Sequence, residues 1–101
     1  ELILLGRFFR ATEALSWGLA NQVEPAGKVL LAALDLAISL AKNAPIAMRL
    51  AKRLLDRTES IGPDEALRLE SEALLACMTS EDWVEGLKAF AEKREPTYRG
   101  I

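Results

Sequence analysis

The chain has 101 residues, enough for one small domain with one core; half are hydrophobic and 28% are charged. That balance predicts a globular, soluble chain rather than a disordered one, and a net charge of −2 supplies no global field toward nucleic acid or an acidic membrane. No apolar run reaches the roughly 18 residues of a membrane span, and one cysteine cannot build a disulfide framework, so the expected setting is reducing and intracellular.

The opening "ELILLG" has no initiator methionine and reads as the last turns of a helix halted by Gly6, with the glycine in the left-handed cap position. A piece of something longer is the expectation. Between Gly and Pro punctuation lie segments rich in Ala, Leu, Glu, Lys and Arg, which predict helices near 1–5, 11–20, 27–43, 45–58, 63–78 and 80–94. No stretch alternates every two residues, and "NQVE" is at most a short extended piece. The fold class expected for these residues is all-α.

Each helix carries local signals. Pro45 and Pro63 fall in a first turn, where no helical N–H is lost. Ser80 can cap the last helix, with Thr79 and Asp82 as a competing capping box. The 27–43 helix is apolar nearly all round (Val29, Leu30, Leu31, Leu34, Leu36, Ile38, Leu40) and needs cover on more than one side. In 45–58, Ala47, Leu50, Ala51 and Leu54 make the inner face. In 63–78 it is Ala66, Leu69, Ala73 and Cys77, opposite a polar stripe of Glu65, Arg68 and Glu72.

The chemistry is sparse. There is no histidine, which removes Ser-His-Asp and Cys-His arrangements and the usual proton shuttle. One cysteine makes no structural zinc site, and Cys77 inside "LLACM" reads as an inert core thiol. The carboxylates Glu59, Glu65, Glu70, Glu72, Glu81, Asp82 and Glu85 lie beside Arg68 or Lys88 or in a first turn, which describes solvated or capping roles. No catalytic residue and no metal ligand is assigned.

Two clusters could bind. Trp83, Leu87 and Phe90 recur along the last helix, and Lys93 follows Phe90 by one turn, so a planar group could stack on the ring while its phosphate meets the ammonium. Lys93 and Arg94 equally suit a helix C-terminus for dipole reasons, and Phe90 equally suits a core. The residues alone leave that choice open. Gly86, inside the helix, marks close approach of another group, and Trp17 and Trp83 read as large packing residues. The stripe Arg49, Lys52, Arg53 and Arg57 could meet phosphates or RNA, but Asp56 interrupts it and any polar helix face must be charged with something.

In this order, "ELILLGRFFRATEALSWGLANQVEP", "AKNAPIAMRLAKRLL" and above all "SEDWVEGLKAFAEKREPTYRG" resemble the C-terminal third of the crotonase superfamily, the enoyl-CoA hydratases and isomerases. Arg10 departs from a frequent serine cap and Tyr98 from a usual phenylalanine. The resemblance implies a crotonase fold whose β-spiral domain, with two catalytic glutamates and an oxyanion hole, lies upstream. Residues 1–25 would be the tail of that core domain and 26–101 a helical oligomerisation and coenzyme A-covering domain. It further implies a parent that adds water to 2-enoyl-CoA thioesters, without a tightly bound cofactor, as a homo-oligomer (trimer or dimer of trimers) in the cytoplasm, or the mitochondrial matrix of a eukaryote. Phe90 would contact the adenine end of coenzyme A and Lys93 its phosphates, while the fragment alone would be inactive. The alternatives are a segment resembling RNA-binding methylglutaconyl-CoA hydratases, using the Arg49–Arg57 stripe, and a free-standing helical association domain.

Overall fold

The computed structural model describes all 101 residues, in six helices and no strand: α1 Leu2–Leu5, α2 Ala11–Ser16, α3 Val29–Ala41, α4 Pro45–Thr58, α5 Pro63–Met78 and α6 Glu81–Glu92. The all-α expectation holds. Differences lie at the edges. α2 stops four residues short of the predicted end because Gly18 turns the chain at φ 74° and Leu19 and Ala20 both donate to the Ala14 carbonyl. α3 loses two residues at each end, to a turn closed by Lys28 N–H on the Pro25 carbonyl and another closed by Asn43 on Leu40.

The chain divides into two compact units, Glu1–Ala37 and Ile38–Ile101. In the first, Gly6 ends α1 in the left-handed region (φ 60°), its N–H bonded to the Leu2 carbonyl. Arg10 precedes α2 without a capping side chain; the Glu13 carboxylate instead accepts the Arg10 N–H at 2.9 Å. That bond, with Arg7 Nη1 at 3.2 Å, holds the Glu13 carboxyl below its ordinary range. The Arg7 guanidinium also pairs with Glu1 at 3.0 Å and lies 5.0 Å from the Trp17 ring centroid. Phe9 tilts against the same indole at 5.6 Å. Trp17 is therefore a half-exposed platform rather than a buried residue.

In the second unit α4 packs on α5 and α5 on α6. On α5 the face falls where the periodicity puts it, with Ala66, Leu69, Ala73 and Cys77 half-buried; on α4 Ala47, Leu50 and Leu54 are half-buried as expected, joined by Pro45, Ile46 and Met48 in the first turn. Ala51, Leu67 and Leu74 are exposed. On the outer side of α5, Arg68 bonds Glu65 at 2.6 and 2.8 Å and also reaches Glu72, which depresses the Glu65 carboxyl. Only Ala89 and Asp82 are fully buried in the whole chain. Most large apolar side chains, including those around α3, remain in contact with solvent. No single helix is long and apolar enough to cross a membrane.

Candidate functional site

α6 and the tail behind it are joined by a set of long-range hydrogen bonds. Ser80 caps the helix: its backbone is extended (φ −86°, ψ 154°) and its hydroxyl accepts the Trp83 N–H at 3.2 Å. The Thr79 alternative is not used; its hydroxyl donates to the Ala76 carbonyl and its backbone belongs to the end of α5.

The tail, residues 96–101, runs back along α6. Thr97 N–H donates to Glu85 Oε1 at 2.8 Å. Tyr98 lies over Gly86, where a Cβ would sit 3.2 Å from the phenol oxygen, so the close approach expected at this glycine is the tail's own aromatic ring. Arg99 and Gly100 N–H donate to the two Asp82 oxygens at 2.7 and 2.8 Å. Finally, the Glu81 and Asp82 N–H groups, unpaired within a helix first turn, donate to the Ile101 oxygen at 2.8 and 3.3 Å. Asp82 is thus a buried clasp, 3% exposed, and not the solvated first-turn carboxylate its position suggests. Its partners lie seventeen and eighteen residues away, a distance that helix periodicity does not report.

At the other end α6 closes at Glu92, two residues before the predicted end. Lys93 takes φ 54°, ψ 40°, the one non-glycine residue at positive φ. Its N–H donates to Phe90 O at 3.2 Å and the Arg94 N–H to Ala89 O at 3.0 Å. These are the paired bonds of a Schellman ending, whose left-handed position is usually glycine. Lys93 therefore stands outside the regular helix, and the one-turn spacing from Phe90 does not by itself place it on that ring's face.

Phe90 is 86% exposed, so it is not core. Trp83 and Leu87, on the same stripe, are also exposed. Arg94 is fully engaged: Nη1 and Nη2 reach the Glu85 oxygens at 2.6 and 2.9 Å, and Nε reaches Glu92 at 2.7 Å. Glu85 thus pairs with Arg94 rather than with Lys88. This fork and the Thr97 N–H hold the Glu85 carboxyl down at about 2.

Elsewhere, a cleft of about 370 Å³ opens between α4, α5, α6 and the tail, lined by Ala47, Leu74, Cys77, Trp83, Leu87 and Tyr98. Cys77 is only half-buried there. On α4, Lys52 pairs with Asp56, so the basic stripe loses one of its four cations to its own helix. No group of three or more acidic or cysteine side chains is arranged to hold a metal ion.

A helical chain with apolar faces still open to solvent and a tail clasped to its last helix is the class of protein described so far. The enoyl-CoA hydratase/isomerase family matches residues 1–100. The chain is 36% identical over 99 residues to the enoyl-CoA hydratase EchA19 of Mycobacterium tuberculosis, covering 98% of this chain and 37% of that protein. To the carnitinyl-CoA dehydratase of Proteus mirabilis it is 36% identical over 104 residues, covering 99% and 40%. The crystal structure of an enoyl-CoA hydratase from Polaromonas sp. JS666 superposes with a TM-score of 0.90 at 31% identity, over 95% of this chain and 37% of that one. The chain belongs to the enoyl-CoA hydratase/isomerase family, and it spans about two fifths of the length of these relatives.

Proposed function

We propose that this chain is the C-terminal helical region of a longer acyl-CoA hydratase or isomerase that adds water across the double bond of 2-enoyl-CoA thioesters. Residues 1–25 are the tail of its catalytic core domain and 26–101 its oligomerisation and coenzyme A-covering domain. The catalytic carboxylates and oxyanion hole belong to the rest of that protein, a cytoplasmic or matrix homo-oligomer, trimeric in its basic unit. Phe90 stacks on the adenine end of coenzyme A and Lys93 pairs with its phosphates; no tightly bound cofactor takes part.

The observation that carries this reading is the division of labour at residues 93 and 94. Arg94 is spent on Glu85 and Glu92, while Lys93, beside it, is exposed, free of a carboxylate partner and held in a conformation that glycine would occupy more easily. A backbone position kept against its usual preference points to a use for the side chain. Phe90, one turn earlier and open to solvent, supplies a ring for a base.

The test is Lys93→Ala in the full-length protein, assayed on crotonyl-CoA and on a crotonyl-pantetheine thioester that lacks the adenosine phosphates. The Michaelis constant for the CoA ester should rise about fivefold with the turnover number unchanged, because a remote phosphate contact is made equally in ground and transition states. Equal behaviour on the two esters would overturn the assignment.

A further inference from the structure

We infer that Glu85 is a positioning residue for Lys93, holding the chain reversal that presents this cation to the phosphates of an acyl-CoA. The inference rests on the reading proposed above and goes beyond it by naming the group that sets the lysine in place.

The geometry is specific. Glu85 leaves α6 two turns before the helix ends and grips the chain just past Lys93 at two places. Its two oxygens take the Arg94 guanidinium as a fork, at 2.6 and 2.9 Å, and Oε1 also accepts the Thr97 N–H at 2.8 Å. Residues 94 and 97 are thereby tied to residue 85, and Lys93 is the residue around which the chain turns. A lysine has no intrinsic preference for the left-handed region, so the reversal depends on the hydrogen bonds around it. The Schellman pair supplies two and Glu85 supplies three.

Glu85 also sorts the two neighbouring cations. Arg94 has a planar fork that suits a carboxylate and is locked onto one. Lys93, a point charge on a flexible stem, is left for a ligand.

Charge alone predicts the opposite role. A carboxylate close to a phosphate site repels the phosphates, so its removal should tighten binding; as a positioning group, its removal should weaken binding. The sign of the effect decides.

The experiment uses the full-length protein with Glu85→Gln, which keeps the shape and removes the charge, assayed on the CoA and pantetheine esters. The expected result is a Michaelis constant for the CoA ester raised about fivefold, turnover unchanged and the pantetheine ester unaffected. In a Lys93→Ala background, Glu85→Gln should add nothing. Arg94→Lys, which keeps the charge but loses the fork, should reproduce the rise from the other side and serves if Glu85→Gln does not fold. An unchanged or lowered Michaelis constant for the CoA ester in these variants would overturn the inference, as would an equal penalty on both esters. If Lys93→Ala itself spares the CoA ester, the ligand reading fails; if Lys93→Ala weakens it and Glu85→Gln does not, only the positioning role fails.

Discussion

Asp82 and Gly100 join the start of α6 to the end of the chain: Asp82 Oδ2 accepts the Gly100 N–H at 2.8 Å across eighteen residues. The other carboxylate oxygen takes the Arg99 N–H at 2.7 Å, so one buried side chain satisfies two consecutive backbone donors. Gly100 is suited to this turn, with φ 77° and room for only an ordinary contact to Pro45.

Removing the clasp should free the tail. Asp82→Ala leaves both N–H groups without their acceptor, at a cost of about 1–3 kcal/mol. Asp82→Asn keeps one acceptor oxygen and should cost less. Urea unfolding followed by circular dichroism measures the loss, and proteolysis should cut the variant within residues 95–101 first. Unchanged stability and an uncut tail would mean that the strap is held by Tyr98 and Glu85 without help from Asp82.

The second prediction concerns pH. The Glu85 carboxyl is lowered from 4.5 to about 2, first by Arg94 and then by the Thr97 N–H. A carboxyl depressed in the folded state stabilises the fold fully above its unfolded pKa and loses that contribution as pH falls through the folded one. The window is therefore roughly pH 4.5 down to 2. Wild-type chain should exceed Glu85→Gln in stability at pH 6, and the gap should close as the pH approaches 2. A gap that stays constant over this range would place the variant's defect elsewhere than in the ion pair.

Much of the fold was legible because helices announce themselves locally. Pro45, Pro63 and Ser80 mark starts, and the three- and four-residue spacing on α5 selects the residues that become half-buried; on α4 it finds Ala47, Leu50 and Leu54 but not Ile46 and Met48, and Ala51 is exposed. The clasp was not legible, because Asp82 at a first turn looks like a dipole partner and nothing in its neighbourhood refers to Arg99 or Gly100. Gly86 did signal a close approach, without saying that Tyr98 makes it. The end of α6 is two residues earlier than the pattern predicts for a related reason: a Schellman ending normally shows a glycine, and here lysine occupies the position.

The exposed apolar surface leads to a third prediction. Leu30 is 69% exposed and Leu36 and Ile38 more than half, on a helix whose only polar residues are Asp35 and Ser39. The isolated 101-residue chain should self-associate at micromolar concentration, because contiguous apolar patches of this extent are rarely left open. Sedimentation equilibrium is the check, and a well-folded monomer would count against it. Leu30→Glu with Leu34→Glu should reduce the association if α3 is the surface involved.

The last prediction sets stability against binding at Lys93. At φ 54° a side chain costs about 1–2 kcal/mol relative to the favoured regions, a penalty that glycine avoids. Glycine also gains freedom in the unfolded chain, which returns about 0.5–1 kcal/mol of that advantage. Lys93→Gly should therefore leave the fold slightly more stable, by roughly 0.5 kcal/mol, with an ordinary glycine Schellman ending. Lys93→Ala keeps a Cβ in the left-handed region and should bring no such gain. Both variants should bind acyl-CoA more weakly in the full-length protein. Thermal unfolding of the three chains side by side, with the Michaelis constants for the CoA ester, gives both halves of the comparison. If Lys93→Gly is the less stable chain, the lysine side chain serves the fold. If it is the more stable chain and binds less well, the strained lysine is kept for its charge.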